Sequence, residues 1–333
     1  MTSKVVAVVG ATGAVGREML RTLERRDFPV ERLVPLASKR SAGSRLSFRS
    51  EAVEVLELTP KSFEGVEIAL FSAGAGVSRE FAPIAAAAGA TVIDNSSAWR
   101  MDDEVPLVVP EVNPQAVMHK PKGIIANPNC STIQLVVALK PLHDKARLKH
   151  VVVSTYQATS GKGHAAVEEL RTQMSALAAG KEAEAKVFPT QIAMNLVSDW
   201  KPGDGNYSEE ELKLVNETRK ILGDREIGVT PTCVRVPVVT GHSESVHIQC
   251  HEPLNAKQVL ELLRNAPGIE LFDADYAPGK EPQPLHAADT DPVYVGRVRD
   301  DLAVPGAINL WVVSDNLRKG AALNAVQIAE LLA

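Results

Sequence analysis

The stretch that decides the fold is VVAVVGATGAVGREML, residues 5–20. It begins with five apolar residues in a row, which is typical of a strand buried on both faces of a parallel sheet. A helical pattern follows to about Arg25, and three glycines stand between strand and helix, namely Gly10, Gly13 and Gly16. Small residues in such a turn let the backbone approach a pyrophosphate, whose charge the helix N-terminus favours. The stretch therefore predicts a dinucleotide-binding domain.

The glycine spacing matches the dinucleotide fingerprint only loosely, because it is G-x-x-G-x-x-G and not G-x-G-x-x-G. Tight packing of the helix on the strand is the alternative explanation. The fingerprint also expects an acidic residue about 20 positions on, which holds a ribose 2′-hydroxyl. The second strand ends instead in Ser38, Lys39, Arg40 and Ser41. Hydroxyls and cations suit a 2′-phosphate, so we expect NADP and not NAD, with a solvated basic loop as the alternative.

Two kinds of pattern divide the chain. Up to Asn127, short apolar runs alternate with helical stretches, which predicts parallel βαβ units with helices on both faces. The rest reads as α+β, and two strand-like runs, 232–239 and 245–250, are joined by a Thr-Gly-His turn that predicts an antiparallel hairpin. We expect an α/β protein with an N-terminal Rossmann-type dinucleotide-binding domain, residues 1–129, and an α+β catalytic and dimerisation domain, residues 130–314. The last strand and helix fit either domain by pattern alone.

The composition excludes several classes of protein. A chain of 333 residues is long enough for about two domains of roughly 150 residues each. Its 36 basic and 41 acidic residues give a net charge of −5, and only 4% of residues are aromatic, which argues against a nucleic-acid binder. No apolar stretch approaches the roughly 18 residues of a membrane helix, and no secretory cleavage site follows the first apolar run. We therefore expect a cytoplasmic protein with no nucleic-acid or membrane partner.

Cys130 is the candidate nucleophile. It stands in NPNC, residues 127–130, directly before an apolar helical run, and Pro and Asn are helix-start signals. The helix dipole at such a position lowers the pKa of a thiol, although a cysteine chosen blindly is more often a small buried hydrophobe. Three cysteines are too few for a disulfide framework. We interpret the other two, Cys233 and Cys250, as buried and inert, because both lie inside strand-like runs.

His242 is a candidate acid or base. It lies in the predicted turn beside a glycine, and an unperturbed imidazole pKa near 6.5 suits proton transfer at neutral pH. Arg235, on the preceding strand, is either a salt-bridge partner or a fork for a substrate carboxylate. Strand alternation puts His247 and His251 on one face and Cys250 on the other, so we expect no metal site there.

The sequence predicts the start of a helix near residue 209. Ser208 and Glu211 form a capping-box pair that opens a helix through Leu222. Glu210 and Lys213 stand three residues apart on that helix, and their ordinary interpretation is a surface ion pair that stabilises the helix by roughly 0.2 to 0.5 kcal/mol.

Taken together, these stretches resemble aspartate-β-semialdehyde dehydrogenases of the bacterial type, from one end of the chain to the other. The motifs occur in the order of the family: GATGAVG, ASKRSAG, FSAGAG, DNSSAWRM, VPEVN, NPNCSTIQ, YQATSGKG, EELK, CVRVPV, GHSES and VVSDNLRKGAALNAVQIAE. The resemblance implies NADPH-dependent conversion of L-4-aspartyl phosphate to L-aspartate 4-semialdehyde and phosphate, in the biosynthesis of lysine, methionine, threonine and diaminopimelate. It also implies a homodimer, and a C-terminal segment, residues 315–333, that completes the NADP-binding domain.

The resemblance assigns roles residue by residue. Cys130 is the acyl-thioester nucleophile, Gln157 contacts the reacting acyl group, and His242 is the proton acceptor. Arg235 and Glu210 hold the substrate α-carboxylate and α-amino groups. The full set of implied substrate-binding residues is Arg100, Asn129, Gln157, Glu210, Lys213 and Arg235, with Arg100 and Lys213 on phosphate. The implied NADP site is lined by Gly10, Thr12, Gly13, Ala14, Val15, Ser38, Arg40, Ser41, Ser160, Gly161 and Asn316. No metal is implied.

Two alternatives remain open at this point. Another acyl-phosphate reductase of the same fold, such as N-acetyl-γ-glutamyl-phosphate reductase, also pairs a cysteine with a histidine. Its substrate has an acylated amine, so a carboxylate such as Glu210 aimed at an ammonium would have no role. A catalytically inactive NADP-binding regulator is the alternative from another class, and an unreactive Cys130 thiol would support it.

Overall fold

The structure is a computed structural model that describes residues 2–198, 200–272 and 277–333. The chain divides into two compact units, Met1–Asn129 with Ala321–Ala333, and Cys130–Gly320. The sequence analysis assigned residues 315–333 to the first unit, whereas residues 315–320 belong to the second. Local bonds explain this difference, because the Asn316 amide donates to Ser160 Oγ at 2.9 Å inside the second unit.

The first unit contains a parallel sheet with α-helices after two of its strands, and a separate two-stranded antiparallel sheet. Its amino-terminal elements are β1 (Lys4–Val9), α1 (Ala14–Arg25), β2 (Val30–Ala37), β3 (Arg45–Phe48), β4 (Glu51–Glu54), β5 (Leu56–Glu57), β6 (Ile68–Phe71), α2 (Ala75–Ala87), β7 (Thr91–Asp94) and β8 (Ile124–Ala126). Six strands form one sheet in the order β5-β2-β1-β6-β7-β8, and every pairing in it is parallel. The strand order reverses beside β1, and in open parallel sheets ligands bind at such a reversal, outside the carboxyl ends of the strands. This fold is the one that the apolar runs predicted.

The second unit is an α+β layer built on a mixed sheet. Its elements are α3 (Cys130–Ala146), β9 (Leu148–Gln157), α4 (His164–Ala178), α5 (Glu209–Leu222), β10 (Gly228–Arg235), β11 (His242–Cys250), α6 (Ala256–Arg264), β12 (Ile269–Phe272), α7 (Pro284–Ala287), β13 (Val293–Asp300) and β14 (Ile308–Ser314). The capping box predicted at Ser208 and Glu211 is present at the start of α5.

The predicted hairpin in this unit is wrong. The sheet order is β10-β9-β11-β14-β13-β12, so β9 lies between the two strands that were predicted to pair. β10 runs parallel to β9, and β11 runs antiparallel to it. A turn signal at residues 239–242 is local, whereas the choice of β9 as common partner depends on residues about 80 positions away in sequence. The carboxyl ends of β9 and β10 therefore meet the start of β11 at one edge of the sheet.

The last helix returns to the first unit. A π-helical turn, Arg318–Ala322, precedes α8 (Leu323–Glu330). Apolar residues of α8 belong to the same core cluster as Met19 and Leu23 of α1. Arg26 Nε and Glu330 Oε1 form an ion pair at 2.5 Å. Within the described ranges, every helix is too short or too polar to cross a lipid bilayer.

Candidate active site

The candidate nucleophile Cys130 is the first residue of α3, at the helix N-terminus that the sequence predicted. The first turn of α3 carries no acidic side chain, so nothing there opposes the positive end of the helix dipole, which favours a thiolate. A Cβ built on Gly320 would lie only 2.9 Å from the Cβ of Cys130. A glycine at position 320 therefore leaves room beside the nucleophile.

His242 lies against the thiol, but not in the turn that the sequence predicted. It is the first residue of β11 and fully buried, with Nε2 3.2 Å from Cys130 Sγ. The backbone N–H of Ala158 donates to Nδ1 at 3.0 Å. Burial, followed by the charge of Arg235, lowers the pKa of His242 from 6.5 to about 3. The expectation of an ordinary imidazole pKa is therefore wrong, because the histidine lies in the sheet and not in a solvated loop.

Arg235 ends β10 and is almost completely buried. Its Nη1 donates to the carbonyl oxygen of Ala158 at 2.8 Å, and its guanidinium carbon lies 4.3 Å from the ring centroid of Trp200. The Trp200 indole N–H donates to the Cys233 carbonyl at 3.0 Å, which fixes the ring. The guanidinium is thus oriented by an aromatic face and a backbone carbonyl, an arrangement suited to presenting its planar fork to a carboxylate.

Glu210 is buried, so its interpretation as part of a surface ion pair is wrong. The Gln157 side-chain amide donates to Glu210 Oε1 at 3.0 Å, and Lys213 Nζ lies 2.8 Å from Oε2. Gln157 in turn accepts at Oε1 from Thr155 Oγ1 at 3.0 Å. The first turn of α5 faces the end of β9, and no pattern within α5 alone could have shown it. The carboxylate is held by one neutral donor and one cation on the edge where β9 and β10 end.

Gly161 is packed against the candidate catalytic groups. A Cβ at this position would come within 3.0 Å of Arg235 Nη1 and 3.4 Å of His242 Nε2. The neighbouring Ser160 and Asn316 are buried and hydrogen-bonded to each other, and the N–H of Gly241 donates to Asn316 Oδ1 at 2.8 Å. The structure therefore brings Gly161 to the thiol–imidazole pair, although the resemblance assigned it to the cofactor.

The glycine-rich turn of the first unit has the geometry that a pyrophosphate site needs. Gly10 has φ +84°, which side chains rarely adopt, and Gly13 precedes α1 without a side-chain cap on the first amides. A Cβ on Gly16 would lie 2.2 Å from the Gly10 carbonyl oxygen, so this glycine also serves close packing. The packing explanation is confirmed at Gly16, and the role of the turn in binding a pyrophosphate stays a prediction. Thr12 lies in the turn between β1 and α1, and Ala14 and Val15 are the first two residues of α1.

The basic segment at the end of β2 is exposed, which is expected of a loop that binds a phosphate. Ser38, Lys39 and Arg40 are exposed, and Ser41 is half-buried. The backbone N–H of Ser41 donates to the Ser38 carbonyl at 2.8 Å, which makes a compact turn. The segment follows β2, the strand next to β1, and therefore lies at the same sheet edge as the glycine turn.

Arg100 and Asn129 are buried in the first unit. The Arg100 side chain donates to the carbonyl oxygens of Asn127 and Asn95, each at 3.0 Å. These bonds fix the guanidinium near the end of β8. Whether Arg100 and Asn129 bind substrate stays a prediction.

The environments of the other two cysteines are those of unreactive thiols. Cys233 is buried in β10, and burial raises the pKa of its thiol far above the usual range. Cys250 ends β11 and is half-buried, so its interpretation as buried is wrong, although partial burial still raises the pKa of its thiol to about 11. None of the three cysteines is in a disulfide. Among the residues that the structure describes, no three His, Cys, Asp or Glu side chains are grouped as metal ligands.

Three groups at this site were missed by the sequence analysis: the backbone of Ala158, Trp200 and Gly320. Ala158 acts through its main chain, which leaves no residue-type signal. Glu244 is fully buried on the face of β11 that His242 also uses, and burial raises the pKa of its carboxyl well above the usual range. Trp200 is one of only three tryptophans, a rarity that could have drawn attention to it.

Comparisons with known proteins find related sequences and structures along the chain. The family model described as "Semialdehyde dehydrogenase, dimerisation domain" matches residues 139–319, and "Semialdehyde dehydrogenase, NAD binding domain" matches residues 5–120. Similar proteins include the aspartate-semialdehyde dehydrogenases of Aquifex aeolicus, 54% identical over 98% of this chain and 97% of its own, and of Bacillus subtilis, 51% identical over 98% and 96%.

Solved structures resemble the chain over its whole length. The aspartate semialdehyde dehydrogenase II of Vibrio cholerae, complexed with ASA, has a TM-score of 0.97 and 49% identity, covering 100% of this chain and 98% of the other. The aspartate semialdehyde dehydrogenase of Candida albicans, solved with NADP, has a TM-score of 0.79 and 28% identity, covering 99% and 98%.

Proposed function

The chain belongs to the aspartate-semialdehyde dehydrogenase family, and from that premise we propose which of its residues convert L-4-aspartyl phosphate to L-aspartate 4-semialdehyde and phosphate. One observation carries the proposal. The thiol of Cys130 begins a helix and lies 3.2 Å from a buried imidazole nitrogen, in the same unit as a buried arginine and a buried carboxylate. This is the set of groups that thioester chemistry on an amino acid requires.

Cys130 is the nucleophile of the proposed reaction. Its thiolate attacks the acyl carbon of the substrate, a thioester forms, and phosphate leaves with the electron pair of the broken C–O bond. Covalent capture divides the reduction of a carboxyl derivative into two easier steps. Gln157 lies at the end of β9 and hydrogen-bonds Glu210, which suits a group that positions the acyl chain.

Arg235 and Glu210 recognise the amino-acid end of the substrate. Arg235 offers a planar fork that can bind the α-carboxylate with two parallel bonds, and Glu210 accepts from the α-ammonium. Lys213, already within 2.8 Å of Glu210, supplies a cation for the phosphate group. Arg100 is assigned to phosphate and Asn129 to the substrate by resemblance alone.

The residues of the first unit fit NADP. The left-handed Gly10, the open N-terminus of α1 and the exposed cations at the end of β2 suit a dinucleotide with a 2′-phosphate. When bound, NADPH supplies the hydride that reduces the thioester. We assign its contacts to the residues named for the NADP site above, and Arg40 to the 2′-phosphate.

A homodimer and a cytoplasmic location complete the proposal. Residues 139–319 match a dimerisation domain, which supports a homodimer. Three cysteines outside any disulfide, one of them the proposed nucleophile, suit a reducing compartment.

The test is an assay in the oxidative direction with L-aspartate semialdehyde. Reduction of NADP should require phosphate and the aldehyde together, since acylated Cys130 is released by phosphate. An inactive regulator would bind NADP without turnover, and its Cys130 thiol would be alkylated no faster than that of free cysteine. Turnover that does not depend on phosphate would contradict the thioester mechanism.

A further inference from the structure

The two elements that carry the thiol and the imidazole also meet through a second set of polar side chains. Gln134 lies one helical turn after Cys130 on α3, and Glu244 lies two residues after His242 on the same face of β11. Ser314, the last residue of β14, pairs with His242 in the sheet. Its hydroxyl donates to Gln134 Oε1 at 2.7 Å. A polar side chain of the nucleophile helix is thus bonded to the strand beside the histidine.

Glu244 is a carboxyl group in uncharged surroundings. Its side chain is fully buried, and neither carboxyl oxygen makes a hydrogen bond to any residue that the structure describes. The side-chain amide nitrogen of Gln134 is likewise buried and makes no hydrogen bond within the described ranges. In the sheet, Glu244 lies opposite Thr155 of β9 and Val312 of β14. Neither of these residues carries a charge, so the carboxyl group has no cation beside it in the sheet.

These surroundings determine the charge of Glu244, because a buried carboxyl group without a cation is strongly disfavoured in its ionised form. Burial raises the pKa of Glu244 well above its usual range, and the Gln134 side chain lowers this pKa by a smaller amount. The charged and titratable groups on the elements around this part of the sheet are Cys130 on α3, His242 on β11, Cys233 and Arg235 on β10, and Glu210, Glu211 and Lys213 on α5. None of them changes the pKa of Glu244.

We propose that Glu244 and Gln134 form an uncharged acid–amide contact that holds α3 against β11 and so sets the separation of Cys130 and His242. An uncharged carboxyl group can donate through its O–H to Gln134 Oε1, which has a second lone pair beside the one that Ser314 uses. Its carbonyl oxygen can accept from Gln134 Nε2. An ionised carboxyl group could only accept, and its buried charge would stay uncompensated.

Glu244 is accordingly a positioning residue that acts through α3 and β11. Cys130 Sγ and His242 Nε2 are 3.2 Å apart, and this distance depends on how α3 packs against β11 and β14. A misplacement of about 1 Å at such a pair can cost about 10²-fold in rate. The proposal rests on the proposed function, in which Cys130 is the nucleophile, but the charge of Glu244 can be measured without any turnover.

The first test measures the charge of Glu244 through the pH dependence of unfolding of the full chain. An unfolded glutamate ionises above about pH 4.3, whereas folded Glu244 stays protonated until its raised pKa is reached. Its contribution to stability is therefore fully present below about pH 4.3 and is lost as the pH rises. E244Q cannot ionise, so the unfolding constant of the parent divided by that of E244Q should increase with pH, by up to about tenfold per pH unit.

E182Q is the control for this measurement, because Glu182 is exposed and the corresponding ratio should stay constant with pH. All three proteins are unfolded in urea at one protein concentration. The infrared difference spectrum of the parent against E244Q at pH 7 should also show the C=O band of a protonated carboxyl group. A ratio for E244Q that stays constant or falls with pH, or the absence of this band, would overturn the proposal.

The second test separates positioning from mere stabilisation by the rate at which iodoacetamide alkylates Cys130, followed on its peptide by mass spectrometry. E244Q keeps the shape and the polar contact, so its alkylation rate and kcat should stay within about threefold of the parent. E244L and Q134L remove the contact from either side and should each lower both rates about 10- to 10²-fold. NADP affinity should stay within a few fold in all three variants.

Two outcomes of this comparison would contradict the proposal. Parent-like rates in folded E244L and Q134L would show that the contact stabilises the fold without positioning the thiol. An equal loss in E244Q and E244L would show that an ionised carboxylate is needed. If both leucine variants fail to fold, the unfolding ratios of E244Q still decide the charge of Glu244. Those ratios involve no turnover, so a failure of the proposed thioester chemistry would leave them unchanged.

Discussion

The candidate ligand-binding groups of the two units are of different kinds. In the second unit the candidate reactive groups are side chains that bond to one another, such as Gln157 to Glu210 and Cys130 to His242, and of these four only Cys130 is half-buried and not buried. In the first unit the candidate cofactor contacts are a left-handed glycine, an uncapped helix N-terminus and exposed polar residues. The catalytic groups therefore depend on tertiary contacts between distant strands, and the dinucleotide site depends mainly on the local backbone.

This difference predicts where substitutions act. A change in the second unit should alter kcat or substrate choice through neighbouring side chains. A change in the first unit should alter cofactor binding or the stability of the turn. The neighbouring atoms there belong to the backbone, which cannot move aside as a side chain can.

The largest effect is expected for Cys130→Ala. Without the thiol no thioester forms, so turnover in both directions should fall at least about 10³-fold, whereas NADP affinity should stay within a few fold. Cys250→Ala is the matched control and should change kcat/KM less than about twofold, since burial raises the pKa of Cys250 to about 11 and leaves its thiol unreactive. Steady-state assays with both variants decide, and more than a few per cent of residual activity in Cys130→Ala would contradict the assignment.

A sharper comparison uses one methyl group in each unit. Gly161→Ala directs a Cβ at Arg235 Nη1 and His242, and displacing these groups should lower kcat/KM up to about 10²-fold. Gly16→Ala directs a Cβ at the Gly10 carbonyl oxygen, which belongs to the backbone, and should lower stability by about 1 to 3 kcal/mol and weaken NADP. Urea unfolding and cofactor titration are measured on both variants. If Gly161→Ala changed only NADP affinity, the catalytic placement of this glycine would be wrong.

A smaller effect is expected at the end of β2. Arg40→Asp replaces a partner of the 2′-phosphate with a partner of a free 2′-hydroxyl, so NADP should bind more weakly and the preference for NADP over NAD should fall. Arg45→Asp, an equal charge change at an exposed position of β3, is the control and should leave that preference nearly unchanged. Equal responses of the two variants would mean that net charge alone, and not this loop, favours NADP.

The difference between local and tertiary contacts also explains how much of the fold and of the candidate site could be predicted from the sequence. The apolar runs, the glycine turn, the capping box at Ser208 and the helix start at Cys130 are local patterns, and the structure has all of them. The pairing of β10 and β11 with β9, and the burial of His242 and Glu210, depend on residues far away in sequence. Local signals therefore misread these features as a hairpin, a solvated histidine and a surface ion pair. The family resemblance brought the same residues together without showing their environment.

The central claim is that buried side chains recognise an unmodified amino acid. The preference of the enzyme between two substrates tests this claim most directly. The comparison is kcat/KM for L-aspartate semialdehyde against N-acetyl-L-glutamate semialdehyde, with phosphate and NADP held constant. Acetylation removes the ammonium charge and leaves Glu210 facing a neutral amide. A buried charge that loses its partner costs about 3 to 5 kcal/mol, or roughly 10²- to 10⁴-fold, with the bond from Lys213 keeping the loss near the lower end. We predict a preference of this size for L-aspartate semialdehyde. Equal values of kcat/KM, or a preference for the acetylated compound, would contradict the claim.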